Sequence, residues 1–155
     1  MGMYQEHALE GASAVDLVVA LYDGILRFLY AASAAVERDD ATERRMAVKR
    51  ALDIIIHLQA RLRMDVGGRP AQVLSEFYAS IFAQILQASQ SASQQKFEHA
   101  IECVRNVRDA WRQVARGEGV TDTDASGEAK AVTVHLANRG GNPEREAATA
   151  AHWTA

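Results

Sequence analysis

The stretch from Ser13 to Tyr30, SAVDLVVALYDGILRFLY, carries apolar side chains around more of its circumference than one packing seam requires. Stepping by three and four, Val18, Leu21, Ile25, Phe28 and Ala32 make one stripe, and Val15, Val19, Tyr22, Leu26 and Leu29 make a second beside it. Only a narrow strip holding Asp16, Asp23 and Arg27 is polar. A surface helix shows one apolar stripe, so a helix with two is either central to a core or partly covered by something else. Ser13 is placed to cap the first free amides, and Asp16, three residues on, favours the positive helix end; the helix is therefore expected to begin at Ala14. Gly24 costs about 1 kcal/mol relative to alanine inside a helix. It predicts close approach of another helix, with room for a ligand backbone as the alternative.

Three more segments repeat at helical spacing. The second, 41–64, has Val48, Leu52, Ile55 and Leu62 as its stripe, with Ala51, Ile54 and Leu58 alongside. Gly67-Gly68 is a stop signal, and Pro70 suits the first turn of a third helix over 70–88, with Leu74, Phe77, Tyr78, Ile81, Ile85 and Ala88 on one face. The fourth, 94–116, has the cleanest stripe: Phe97, Ala100, Ile101, Val104, Val107, Trp111 and Val114. No segment alternates with period two. The expected fold is all-α, an antiparallel up-down four-helix bundle over 1–116 with a short N-terminal segment. From Gly117 the composition turns to Gly, Thr, Asp and Glu with little to bury, which predicts a flexible tail over 117–155, with a short helix near 128–138 as an option.

At 155 residues and 48% hydrophobic, the chain is long enough for one domain with a real core. No uninterrupted apolar run approaches the ~20 residues of a membrane span, which predicts no membrane insertion. The start, MGMYQEHALEG, has no basic segment followed by an apolar one and fails the myristoylation pattern at Glu6, so neither a cleaved leader nor a lipid is expected. The single cysteine, Cys103, cannot form an internal disulfide, which fits a reducing cytoplasm. Residues through Arg116 hold 14 Lys/Arg against 14 Asp/Glu, and those from Gly117 hold 3 against 6. A neutral body with mixed charges offers no basic face for phosphates, so nucleic acid is not an expected partner.

Convergent chemistry is sparse. His7, His57, His99, His135 and His152 are scattered, and none stands at metal-site spacing from another histidine or a glutamate. Cys103 has no evident basic partner in sequence, and Gly67-Gly68-Arg69-Pro70 is not a phosphate loop. The reading is a non-enzyme without cofactor or metal.

The third helix supplies a second anomaly: the nineteen residues from Phe77 to Gln95 contain no charged side chain. Ala79, Ser80, Ala83, Gln84 and Gln87, which should face water, are neutral. Charge depletion beside aromatics marks the centre of a binding patch. Together with the wide first helix it suggests apolar grooves that take an amphipathic helix from a partner. The competing reading is a helical interaction module whose wide first helix closes a homodimer; a bundle with a core cofactor is the third.

In their order and spacing, Tyr4-Gln5, Leu9, Ala12-Ser13, Leu17, Leu21-Tyr22-Asp23-Gly24, Ala51, Ile54-Ile55, Gly67-Gly68, Ala71, Leu74, Tyr78, Leu86, Ala88 and Ala110-Trp111 resemble the flagellar export chaperone family FliS. The likeness covers about Tyr4 to Arg116, with departures at Ala14, where the family usually has proline, and at Val73, Ala79-Ser80 and Ser89. The resemblance implies a cytoplasmic bundle, a monomer or weak dimer. It would bind the disordered C-terminal segment of flagellin, prevent premature polymerisation, and deliver the subunit to a component of the export gate. It further implies that the N-terminal segment Met3–Gly11 lies over a groove that flagellin takes, with Tyr4 and Leu9 as apolar contacts. Leu21, Tyr22, Ile25, Tyr78, Ile81 and Ile85 are the expected groove walls or floor, each also placed where any bundle would bury it.

Overall fold

Short polar caps set the helix limits. The computed structural model describes the backbone over residues 2–117 and side chains over 14–117. Within that span run α1 (Gly2–Glu37), α2 (Ala41–Ala60), α3 (Gly68–Gln90) and α4 (Gln94–Ala115), with no strand among the described residues. Asp40 caps α2 by accepting from the Glu43 N–H at 3.0 Å, and the Ser93 hydroxyl accepts from the Lys96 N–H at 3.2 Å at the head of α4. The chain reverses before each cap through a left-handed residue, Asp39 (φ 54) and Ala92 (φ 45). There the Asp40 and Ser93 amides reach back to the Ala35 and Ala88 carbonyls, closing the preceding helix.

The α2–α3 connection depends on glycine. A Cβ on Gly67 would lie 2.5 Å from the Ala71 Cβ and 2.6 Å from the Arg63 carbonyl oxygen, while the Gly67 N–H donates to that same carbonyl at 2.7 Å. Gly68 follows in the left-handed region (φ 55). Because one clash is with a Cβ fixed to the α3 backbone and the other with a backbone carbonyl, neither has a flexible side chain to yield. Gly67→Ala is expected to cost about 1–3 kcal/mol, read as a lower urea midpoint at unchanged slope.

Each helix buries one face. The core holds Val15, Tyr22, Ile25, Leu26, Leu29, Ala32 and Ala35 from α1, and Ala47, Val48, Ala51, Ile55 and Leu58 from α2. To these α3 adds Ala71, Leu74, Tyr78, Ile81, Ile85 and Ala88, and α4 adds Phe97, Ala100, Ile101, Val104, Val107, Ala110 and Trp111. The helices pack in a ring, α1 on α2 and α4, α3 on α2 and α4, and α2 meets α3 least. With connections of three to seven residues, this is the antiparallel up-down four-helix bundle. Gly24 is the close approach its position implied, since a Cβ there would meet the Ile54 Cδ1 at 3.0 Å.

Three boundaries differ from the sequence reading. α1 runs straight through Ser13 from Gly2, so no cap forms there. Met3, Gln5, Glu6, Ala8, Leu9, Glu10 and Ala12 are good helix formers that offset Gly2 and Gly11, and Ala14 lacks the ring that would stop the helix. α2 ends at Ala60, because Arg61–Gly67 form the turn into α3, and α3 starts two residues before Pro70. The count of uninterrupted apolar residues also understated α1. Ala14–Glu37, with mean hydropathy 1.5, is long and apolar enough to cross a membrane by length and composition, although its buried stripe is spent on this core. The expectations of a flexible tail and of a short helix near 128–138 lie outside the described residues, as do the side chains of Tyr4 and Leu9.

A candidate partner-binding groove between α2 and α3

Two tyrosines meet at the bundle centre. The Tyr22 and Tyr78 hydroxyls, from the diagonal helices α1 and α3, are 2.8 Å apart, with their rings tilted at 53°. Burial raises both pKa values: Tyr22 is held well above the usual phenol value, and Tyr78 is pushed up to about 12. The Trp111 N–H, near Tyr22 but without a hydrogen-bond partner in proper geometry, opposes the rise at Tyr22. The pair therefore stays neutral, and each hydroxyl is the other's partner. Tyr22→Phe leaves the Tyr78 hydroxyl buried and alone, with an expected cost of about 1–3 kcal/mol. Adding Tyr78→Phe should recover part of that loss, a coupling that a double-mutant cycle in urea measures.

Burial decides which apolar residues a partner can reach. Tyr22, Ile25, Tyr78, Ile81 and Ile85 are each at most 3% exposed, and Leu21 is half-buried against the core. In this conformation they belong to the interior, and Tyr78 among them also borders the recess between α2 and α3. The surplus on α1 is also smaller than its two stripes suggested. Val18, Val19, Leu21 and Phe28 pack partly onto the core, and the guanidinium groups of Arg27 and Arg50 lie 4.9 and 5.7 Å from the centre of the Phe28 ring.

Open apolar surface lies one residue further along. Ile55, Ile56, Gln59, Ser75, Tyr78, Ala79 and Phe82 line a recess of about 190 Å³ between α2 and α3. Ile56 is 55% exposed, Phe82 is half-buried, and Leu86, one turn beyond Phe82, is 37% exposed. The recess is smaller than the ~300–1,000 Å³ of small-molecule sites, and suits an apolar side chain presented by another helix. Its polar edge is Gln59, whose amide donates to Ser75 Oγ at 2.7 Å while its carbonyl oxygen has no partner.

The sequence held signals for this groove that the stripes obscured. Ile54-Ile55-Ile56 are successive residues about 100° apart on a helix, so one core face cannot take all three. Ile54 packs against Gly24, Ile55 is buried, and Ile56 faces out. Ile81-Phe82 and Ile85-Leu86 divide the same way, the first of each pair inward.

The opposite face is polar. Asp23, Leu26, Arg27, Tyr30, Arg105 and Arg108 line a cleft of about 560 Å³ between α1 and α4. Arg108 donates to Asp23 at 3.0 Å and to Asp109 at 3.1 Å, Arg112 stands 3.7 Å from Asp23, and Arg105 donates to the Tyr30 hydroxyl.

Other chemistry is modest. Cys103 does have a neighbour that the sequence reading passed over: His99, one turn before it on α4, places Nε2 3.9 Å from Sγ. Burial nonetheless raises the pKa of the Cys103 thiol, which disfavours the thiolate. Among the described residues, no group of three or more His, Cys, Asp or Glu could hold a metal ion.

The family model described as flagellar protein FliS matches residues 1–118. The flagellar secretion chaperone FliS of Vibrio cholerae is 32% identical over 106 residues, covering 68% of this chain and 78% of that one. That of Campylobacter jejuni is 30% identical over 117 residues, 76% and 91% of the two chains. That of Salmonella typhimurium is 32% identical over 111 residues, 71% and 82%.

Proposed function

The chain belongs to the FliS family of flagellar secretion chaperones, and from that premise we propose that it is a cytoplasmic chaperone for flagellin. Its client is the C-terminal segment of flagellin, disordered when free, which it receives as an amphipathic helix. Covering that segment blocks premature polymerisation, and the complex is carried to the export gate. The protein acts by binding alone, as a monomer or weak dimer, without cofactor or catalysis.

The observation that carries this reading is the α2/α3 groove. It joins an exposed isoleucine to the charge-free face of α3, where Ala79, Phe82 and Leu86 recur at helical spacing. A guest helix with apolar residues at three- and four-residue intervals can set a knob into the recess and lay its stripe along α3. Of the six groove residues expected from the sequence, Tyr78 lines this recess, Tyr22, Ile25, Ile81 and Ile85 lie in the core, and Leu21 packs against it. Tyr4 and Leu9 belong to the same proposal as contacts of the N-terminal segment.

Titration calorimetry of the full-length protein with peptides from flagellin C-termini tests it. Binding with a negative heat-capacity change is expected, because apolar area is buried. Silence at tens of micromolar across several flagellins would overturn it. A tight symmetric dimer in light scattering, with the groove consumed, would favour the homodimer reading instead.

A further inference from the structure

Through Arg116 the chain carries equal numbers of basic and acidic residues, 14 of each, but the fold does not spread them evenly. α4 packs antiparallel on α1, setting Tyr30 against Arg105 and Asp23 against Arg108 and Arg112. Arg27 lies between Asp23 and Tyr30 on α1, and Arg105 and Arg108 are three residues apart on α4. The three arginines therefore fall within about one helical turn of one another along the α1/α4 seam. They line the cleft of about 560 Å³ together with a single carboxylate, that of Asp23, so the lining holds a surplus of two positive charges.

That carboxylate is already shared. Arg108 donates to it at 3.0 Å and to Asp109 at 3.1 Å, and Arg112 stands 3.7 Å from it. Arg105 donates to the neutral Tyr30 hydroxyl, and Arg27 rests over the Phe28 ring; among the described ion pairs neither meets a carboxylate. The other described ion pairs match one to one, Lys49 with Asp53 and Arg63 with Asp65. Two of the guanidinium forks are held in place, Arg108 by its two carboxylates and Arg105 by Tyr30, so little freedom is lost when an anion arrives. The cleft also has an apolar part, the buried Leu26 and the exposed ring of Tyr30.

We propose that the α1/α4 cleft binds a small-molecule phosphate monoester, with the phosphate among Arg27, Arg105 and Arg108 and the organic body against Tyr30 and Leu26. The phosphate of a monoester carries about −1.5 to −2 charge at pH 7 and three strong acceptor oxygens, which matches the surplus. A carboxylate brings about half that charge. Guanidinium forks pair with phosphate oxygens two at a time, which gives direction as well as attraction. The volume lies within the ~300–1,000 Å³ of small-molecule sites. Because Arg27 and Arg105 are exposed, the expected affinity is modest, a dissociation constant of about 1 mM at low salt. The α2/α3 groove has none of these lining residues, so the ligand and a guest helix do not compete.

Amide NMR titration of the full-length protein at about 50 mM salt tests this with three probes: adenosine monophosphate, inorganic phosphate and adenosine. Adenosine monophosphate is expected to shift amides of residues 23–30 and 105–112 saturably, with a midpoint of about 1 mM, while those of residues 79–87 stay in place. Inorganic phosphate should move the same amides about three-fold more weakly, since it lacks a body to lie on Tyr30, and adenosine should move none. A variant with Arg27→Gln and Arg105→Gln is expected to weaken the nucleotide about 10-fold. One with Arg45→Gln and Arg61→Gln, exposed arginines elsewhere on α2 and at its end, should bind as the parent does. No saturation with the nucleotide by about 20 mM would overturn the proposal. So would equal weakening in the two variants, which is general screening, phosphate binding as tightly as the nucleotide, or adenosine shifting the same amides.

Discussion

Ile56→Asp combined with Ala79→Asp is expected to weaken binding of a flagellin C-terminal peptide by about 100-fold or more while the bundle stays folded. Both side chains are exposed and line the α2/α3 recess, so neither substitution opens a cavity. The stability cost is a few tenths of a kcal/mol of helix propensity at each position. A guest helix seated in the recess must instead bury two carboxylates against Ile55, Tyr78 and Phe82, with no cation among the lining residues to meet them. Burying a charge without a partner costs several kcal/mol, and the guest avoids that cost by not binding. Calorimetry gives the affinity and circular dichroism the folded fraction. Affinity within a factor of three of the parent protein, with peptide still bound, would move the site off this groove. A control on the polar face, Arg105→Gln, is expected to bind peptide as the parent does.

The bundle was legible in the sequence where a helix has one stripe and a chemical stop. The α4 limits agree within a residue, because Ser93 caps its start and its apolar residues keep a single face. Where the pattern was broader, periodicity lost its direction. It marked one side of α3 as apolar, but could not say that Ile81 and Ile85 are buried while Phe82 lines an opening and Leu86 is exposed one turn on. That outcome depends on how far α2 and α3 stand apart, a tertiary quantity absent from local spacing. The two stripes of α1 misled for a related reason. Phe28 is covered by arginine side chains from α1 itself and from α2, and a stripe count does not register such cover. The start of α1 failed through an ambiguity of serine, which caps helices but is also tolerated inside them when nothing breaks the flanking turns.

Tyr22→Ala separates a core role from a ligand-contact role at the position where the two readings diverge most. Tyr22 is wholly buried, among the largest such side chains of the described residues, and its hydroxyl is the hydrogen-bond partner of the Tyr78 hydroxyl. Truncation removes the ring from the bundle centre, leaves a cavity there, and strands the Tyr78 hydroxyl. Large-to-small changes of aromatic residues in cores cost ~3–5 kcal/mol, a large share of the ~5–15 kcal/mol that holds a domain together. The expected result is a urea midpoint far below the parent's with an unchanged slope. Peptide affinity should fall only in proportion to the unfolded fraction, so that at low temperature, where the variant is still folded, it binds within a few-fold of the parent. If Tyr22→Ala instead kept its stability and lost its affinity, the tyrosine would be part of the client's seat, and the groove would have to run between α1 and α3 rather than along α2.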